Sequence, residues 1–237
     1  MRKNHPDTLV CLARLGSLYE TMGKYNEAAP ILIEHIEQAT IILGSQHPKV
    51  LRSMHNLADT YRGLEKFDES EVLFRKTLQS RRKLLGENHI ETLQTQMKLA
   101  RLLRLINQYD EALILVRDTA EKQKALLGEE HPTTLIAMQE LANLYQHQNK
   151  LAKALEIYNH VLTTRIKVLG EAHPDLSKTL LGLITTYLLN NNTADAEKYF
   201  KQLTKLAEKK PERFQSDVMT AKTLLTNYYA QHHQPEI

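Results

Sequence analysis

The chain has 237 residues, 42% apolar and 25% charged, with a net charge of +3 and both signs mixed along its length. That is enough apolar material for a sizeable core, and the charge is too small and too evenly spread for a dedicated nucleic-acid binder. One cysteine, Cys11, excludes an intramolecular disulfide and a multi-thiolate metal site, and eight glycines and seven prolines leave no low-complexity stretch.

The opening residues, Met1-Arg2-Lys3-Asn4-His5-Pro6, lack the apolar run of a signal peptide, and no window approaches the length of a membrane span. A soluble, cytoplasmic protein is expected.

The chain then repeats itself. His5-Pro6-Asp7-Thr8-Leu9 is followed by His47-Pro48-Lys49-Val50-Leu51, His89-Ile90-Glu91-Thr92-Leu93, His131-Pro132-Thr133-Thr134-Leu135 and His173-Pro174-Asp175-Leu176-Ser177, each 42 residues after the last. Gly44, Gly86, Gly128 and Gly170 stand three residues before four of these histidines. The punctuation has a mechanism. Glycine relieves the left-handed conformation just past a helix end, the residue before proline is extended, and proline suits the first helical position. Each Gly-x-x-His-Pro therefore predicts a corner between helices.

A second corner lies inside each unit, at Met22-Gly23-Lys24-Tyr25, Leu64-Glu65-Lys66-Phe67, Ile106-Asn107-Gln108-Tyr109, Gln148-Asn149-Lys150-Leu151 and Asn190-Asn191-Asn192-Thr193. Before it the apolar period predicts a helix A of about four turns, and after it a helix B of about five. Short turns make the two antiparallel. The reading is all-α: five repeats at about 5–46, 47–88, 89–130, 131–172 and 173–214, in a single domain over residues 1–237. Repeat five is worn, ending in Lys209-Lys210-Pro211 instead of Leu-Gly. After it, residues 216–231 predict a capping helix of the kind that terminal repeats require. Repeat one has no such cap.

Small and aromatic residues recur in register. Helix A carries Leu15-Gly16 with Tyr19, Leu57-Ala58 with Tyr61, Leu99-Ala100 with Leu103, Leu141-Ala142 with Tyr145, and Leu183-Ile184 with Tyr187. Helix B carries Ala28, Ser70, Ala112, Ala154 and Ala196. Small residues there let two helices approach closely. The pattern resembles the tetratricopeptide repeat. Its period, with Asn56-Leu57-Ala58-Asp59-Thr60-Tyr61 and Leu141-Ala142-Asn143-Leu144-Tyr145, is similar to the longer repeats of kinesin light chains and related scaffold proteins. HEAT and armadillo repeats have a similar period but lack this register. The resemblance implies a right-handed α-solenoid of antiparallel helix pairs, with A helices lining a concave groove. It also implies a protein that holds partners: not an enzyme, and without cofactor or small-molecule substrate.

Helical phase then nominates the groove positions. They carry Arg52, Asn56, Asp59 and Arg62 in repeat two and Lys98, Arg101 and Arg104 in repeat three. Repeat four offers Gln139, Asn143 and Gln146, and repeat five Lys178, Leu181 and Leu188, with Leu189 beside them. Formal charges over the groove positions come to 0, +1, +3, −1 and +1 by repeat, which concentrates the positive charge in repeats two and three. A basic centre, amides for a peptide backbone and an apolar shelf suit an extended acidic peptide with one hydrophobic anchor. A second reading is an assembly or sensor segment that uses its bare N-terminal face or its ridge.

Other chemistry finds little support. The corner histidines are about a helix diameter apart, too far for ligands that must sit about 2 Å from one metal. Asn56 and Asn143 alone do not supply the Lys/Asn set of a two-carboxylate clamp. The run Arg75-Lys76 to Arg81-Arg82-Lys83 reads as a solvated face of helix B. Nucleic-acid binding is not favoured, because aromatics for stacking are few and tryptophan is absent. No phosphate loop, zinc spacing or nucleophile elbow appears.

Overall fold

The computed structural model describes residues 6–209 and 211–232. His5, Lys210 and His233 lie outside the described residues. The described residues are all-helical, without strands, in the order α1 (Pro6–Thr21), α2 (Tyr25–Leu43), α3 (Pro48–Gly63), α4 (Phe67–Leu85), α5 (Ile90–Leu105), α6 (Tyr109–Leu127), α7 (Pro132–His147), α8 (Leu151–Leu169), α9 (Asp175–Leu189), α10 (Thr193–Lys209) and α11 (Pro211–His232). Odd-numbered helices are the A helices and even-numbered ones the B helices. The last helix begins at Pro211, five residues before the cap expected from residue 216, because proline itself serves as a helix start.

The chain forms two compact units, Met1–Leu115 and Val116–Ile237. In the N-terminal unit α1 packs on α2, α2 on α3, α3 on α4 and α4 on α5, and α1 meets α3 and α3 meets α5. In the C-terminal unit α7 to α11 pack in the same order, with α7 meeting α9 and α9 meeting α11. In both, A helices touch A helices along one side, which gives each unit a continuous A-helix face.

The small-residue register works as the sequence predicts. Ala28, Ser70, Ala112, Ala154 and Ala196 are each 0% exposed. The Ser70 hydroxyl donates to the Ala58 carbonyl at 2.7 Å, so even the polar member is satisfied against its A helix. A Cβ on Gly16 would sit 2.8 Å from Leu32, so this contact has no room for one.

The two kinds of corner use different backbone devices. At the inner corner one residue per repeat is left-handed: Gly23 (φ 71°), Glu65 (60°), Asn107 (63°), Asn149 (56°) and Asn191 (54°). The following amide returns to the helix, as Lys24 N–H does to Tyr19 and Lys66 N–H to Tyr61, both at 2.9 Å. At the outer corner Gly44, Gly86 and Gly170 combine φ of 82–90° with ψ of 152–164°. That is not the left-handed helical conformation expected for a C-terminal glycine but an extended mirror-image one that only glycine adopts readily.

The corner histidines are N-caps. His47, His89 and His131 have φ near −67° and ψ of 137–140°, and each Nδ1 accepts the amide two residues on at 3.2 Å. His173 Nδ1 also accepts the Asp175 amide, at 3.3 Å, although the N-cap of α9 is Pro174. His89 takes this shape before Ile90, so the cap, and not a following proline, fixes it.

Between repeats, two buried arginines act as pins. Arg81, on α4, is 2% exposed and donates to the Glu91 carbonyl at 2.8 Å and the Thr95 hydroxyl at 2.7 Å on α5. Arg165, on α8, is equally buried and donates to the Asp175 carbonyl at 3.0 Å and the Thr179 hydroxyl at 2.6 Å on α9. Of the basic run read as a solvated face, Arg75, Lys76, Arg82 and Lys83 are exposed as expected, and Arg81 alone departs from it. Arg81 is inside, Arg75 grips Glu111 with both terminal nitrogens at 2.6 and 2.7 Å, and Arg82 donates to Gln96 at 2.8 Å.

Glu65 is the one inner-corner residue that is neither glycine nor asparagine. Glu65→Asn is expected to raise stability by about 0.5–1 kcal/mol, because asparagine tolerates the left-handed conformation better. Thermal or urea unfolding checks it, and a melting temperature at or below that of the parent counts against this account of the corner.

Candidate functional site

The A-helix face of the N-terminal unit is organised around one carboxylate. Asp59, on α3, is 4% exposed. It accepts from Arg62 Nε, one turn along its own helix, at 2.7 Å and from Lys98 Nζ on α5 at 2.5 Å. Burial alone would raise this carboxyl, but Lys98 and then Arg62 overcome it and hold the pKa at about 2. Glu20 reaches the same group from α1, and its pKa is raised by burial and by Asp59. Residues from three successive A helices therefore meet at one point, because inward positions recur at the repeat spacing.

Beside the cluster, His55 stands edge-on to Phe74, with ring centroids 5.6 Å apart, and its Nδ1 lies 3.2 Å from the Thr95 hydroxyl. Burial, reinforced by Arg81 and Lys98 and opposed by Asp59, lowers its pKa to about 3. His55 is thus neutral in the folded protein.

Among the expected site residues of this unit, Arg52 is exposed near the start of α3, and Asn56, Arg62, Lys98, Arg101 and Arg104 are half-buried. Arg62 and Lys98 are held in place by Asp59 and so present oriented charge with part of it neutralised. Asp59 was legible in the sequence as a groove position, but its role as the hub was not.

In the C-terminal unit the expected amides bind inward. Gln139 Oε1 accepts from Arg165 and from Thr179 Oγ1, the latter at 3.2 Å. Asn143 accepts from the Tyr158 hydroxyl at 2.5 Å and donates to Glu140 at 3.2 Å. Gln146 donates to the Thr186 hydroxyl at 2.8 Å. These side chains tie α7 to α8 and α9. Lys178 is exposed and Leu181 half-buried. Leu188 is only 6% exposed and Leu189 54% exposed. Both line a cleft of about 380 Å³ with Leu224 and Tyr228 of α11.

Among the described residues no group of three His, Cys, Asp or Glu side chains could hold a metal ion, and no helix is long and apolar enough to cross a membrane. The arrangement suits holding and orienting charged groups.

The tetratricopeptide repeat model matches residues 7–83, 59–125 and 134–209. The chain belongs to the tetratricopeptide repeat family. Among solved structures it is similar to the nearly identical TPR-like repeats of a chain described as a kinesin light chain from Podosopora anserina. The identity is 27%, over 89% of this chain and 99% of that one, with a TM-score of 0.73. BtubC (BKLC) from P. vanneervenii is 18% identical over 98% of this chain and 85% of that one, with a TM-score of 0.70. The Rap conjugation gene regulator of plasmid pLS20, solved in complex with the Phr* peptide, is 15% identical over 94% of this chain and 57% of that one, with a TM-score of 0.67. No curated protein matches the sequence. The helix-pair fold of these tetratricopeptide solenoids is thus the fold of this chain.

The pKa values give a signed expectation. A histidine held neutral to about 3 when folded, but protonating near 6.5 when unfolded, contributes stability above pH 6.5 that is lost as pH falls toward 3. Asp59 contributes above its unfolded value of 3.8 and loses its contribution only toward pH 2. The melting temperature should therefore drop steadily between pH 6.5 and 4. His55→Met, the residue that repeat three carries at this position (Met97), should flatten that slope by up to about 1.4 kcal/mol per pH unit. An unchanged slope in the variant would show that His55 is not a source of it.

Proposed function

We propose that this protein is an interaction scaffold that holds an extended partner peptide, acidic with one apolar anchor, on the A-helix face of its N-terminal unit. The observation that carries the reading is the Asp59 cluster. A buried carboxylate holds Arg62 and Lys98 from adjacent A helices on a face that also carries Arg52, Arg101 and Arg104. Cations whose orientation is already fixed lose less freedom when an anion binds. Family membership supports the reading, since curved repeat faces bind extended partners. So do two structural neighbours, a Rap protein complexed with competence and sporulation factor and a TPR protein with an unusual peptide-binding site. The inward-bonded amides of Gln139, Asn143 and Gln146 shift the emphasis from backbone recognition to charge. Leu181 and Leu189 remain as apolar surface in repeat five. A scaffold of this kind works without cofactor or catalysis, in the cytoplasm.

Selection of acidic peptides bearing one aromatic residue from a displayed library, followed by fluorescence anisotropy, tests this. Arg101→Glu with Arg104→Glu is expected to weaken the selected peptides at least about tenfold and to flatten their salt dependence. Failure to select any acidic binder, or equal affinity for a well-folded double variant, would sink the reading.

One observation favours a second reading, assembly through the N-terminal face. On α1, Leu15 is 41% and Leu18 54% exposed, while Leu57 and Thr60, 42 residues on, are 5% and 0% exposed. Leu57 is buried against Ala28, Ala29 and Leu32 of α2, so its position is one that a preceding helix B covers. If this face joins chains, sedimentation should show a concentration-dependent dimer that Leu15→Lys with Leu18→Glu turns into a monomer. A monomer at all concentrations rules it out.

A further inference from the structure

A cavity of about 670 Å³ opens on α1, α2 and the start of α3, and Asp59, Arg62 and Lys98 are not among its lining residues. Its size is that of a small-ligand pocket. The walls are largely apolar, from Leu9, Val10, Leu18 and Ile42, and Ala13 lines it as well. Its charged lining is of one sign: Arg14, Lys49 and Arg52, with no carboxylate among the described lining residues.

The space is written into the repeat. Where repeat one has Ala13, the next four repeats have His55, Met97, Gln139 and Leu181. Where it has the neighbouring Ala39, the next three have Arg81, Gln123 and Arg165. Repeats two to four thus carry long side chains at both positions, repeat five carries Leu181 with Ala207, and repeat one alone has a methyl group at both.

His35 is the third departure. It lines the cavity and is 1% exposed, and its buried Nδ1 has no hydrogen-bond partner. The same position in the later repeats holds Thr77, Thr119, Val161 and Leu203, each 0% exposed, so the array folds well without an imidazole there. A buried polar atom left without a partner costs stability. Burial, then the charges of Arg52 and Lys49, lower the pKa of His35 and keep the ring neutral. A neutral ring can still present Nδ1–H as a donor.

We infer that this cavity is a binding site for a free monocarboxylate with an aliphatic body. The hydrocarbon replaces the missing repeat side chains, and the carboxylate accepts from His35 Nδ1–H and faces Lys49 and Arg52. The lining asks for an apolar body, Lys49 and Arg52 for a negative charge, and the orphaned His35 nitrogen near them for an acceptor. The site shares Arg52 with the proposed peptide face but contains neither Arg101 nor Arg104.

Isothermal titration of the full chain with decanoate tests it, with decanol and decylamine as ligands of the same body. Decanoate is expected to bind, and decanol and decylamine at least about tenfold more weakly. His35→Thr and Lys49→Gln should each weaken decanoate several-fold, and Ala13→Met should fill the space and abolish binding. His35→Thr and Ala13→Met carry residues that the array itself uses at these positions, so their melting temperatures should hold. Arg101→Glu with Arg104→Glu should leave decanoate binding unchanged, which separates this site from the peptide face. A second readout needs no variant: in imidazole nitrogen spectra, decanoate should fix the His35 tautomer with the proton on Nδ1. No decanoate binding, decanol binding as tight, affinity unmoved by His35→Thr, or a His35 ring indifferent to ligand each overturn the proposal. Displacement of decanoate by an acidic peptide with an apolar anchor would assign the cavity to the peptide instead, and equally overturns it.

Discussion

Everything in this fold depends on how closely helix B can approach helix A. The B helices reach that distance by placing one small residue per repeat at the contact, each fully buried from Ala28 to Ala196. Any larger side chain there would separate the helices and uncover the leucines on both sides. Close approach also decides where function can sit. Once each pair is closed and stacked, side chains one repeat apart come within hydrogen-bond distance, as Asp59 and Lys98 do at 2.5 Å. The charged cluster is thus a consequence of the packing distance as much as of the residues in it.

A regular array makes its exceptions informative. A repeat can only restate its own solution, so a position that departs from its register was changed for some local reason. Arg81 and Arg165 occupy one register, 84 residues apart, and each pins the first turn of the next A helix. Repeat one carries alanine there and histidine at position 35. A cavity opens beside these positions in repeat one.

Fold and corners were legible in the sequence because they rest on local rules: spaced apolar residues, glycine after a helix, a polar residue before one. The period located both corners in every repeat. What the sequence did not yield was the conformation at each. The outer glycines adopt a mirror-extended shape instead of a left-handed helical one, and histidine is not among the usual capping residues, so its role as the N-cap was hidden behind the proline that follows it. The site was legible only in part. Helical phase placed Arg62 and Lys98 on one A-helix face, where both meet Asp59, but phase cannot say which inward group pairs with which. Asp59 entered as one negative charge and emerged as the group that holds two cations. Gln139, Asn143 and Gln146 share the inward phase, yet their amides close contacts between helices. Only the distance to the neighbouring hydroxyls and side chains decides that.

The central claim is that the A-helix face of the N-terminal unit receives an acidic partner. Amide and arginine side-chain resonances, followed during titration with a selected acidic peptide, test it most directly. The account predicts shifts concentrated on α3 and α5, around Arg52, Lys98, Arg101 and Arg104, that diminish as salt is added. Shifts concentrated instead on the B helices, with those side chains unmoved, would contradict it.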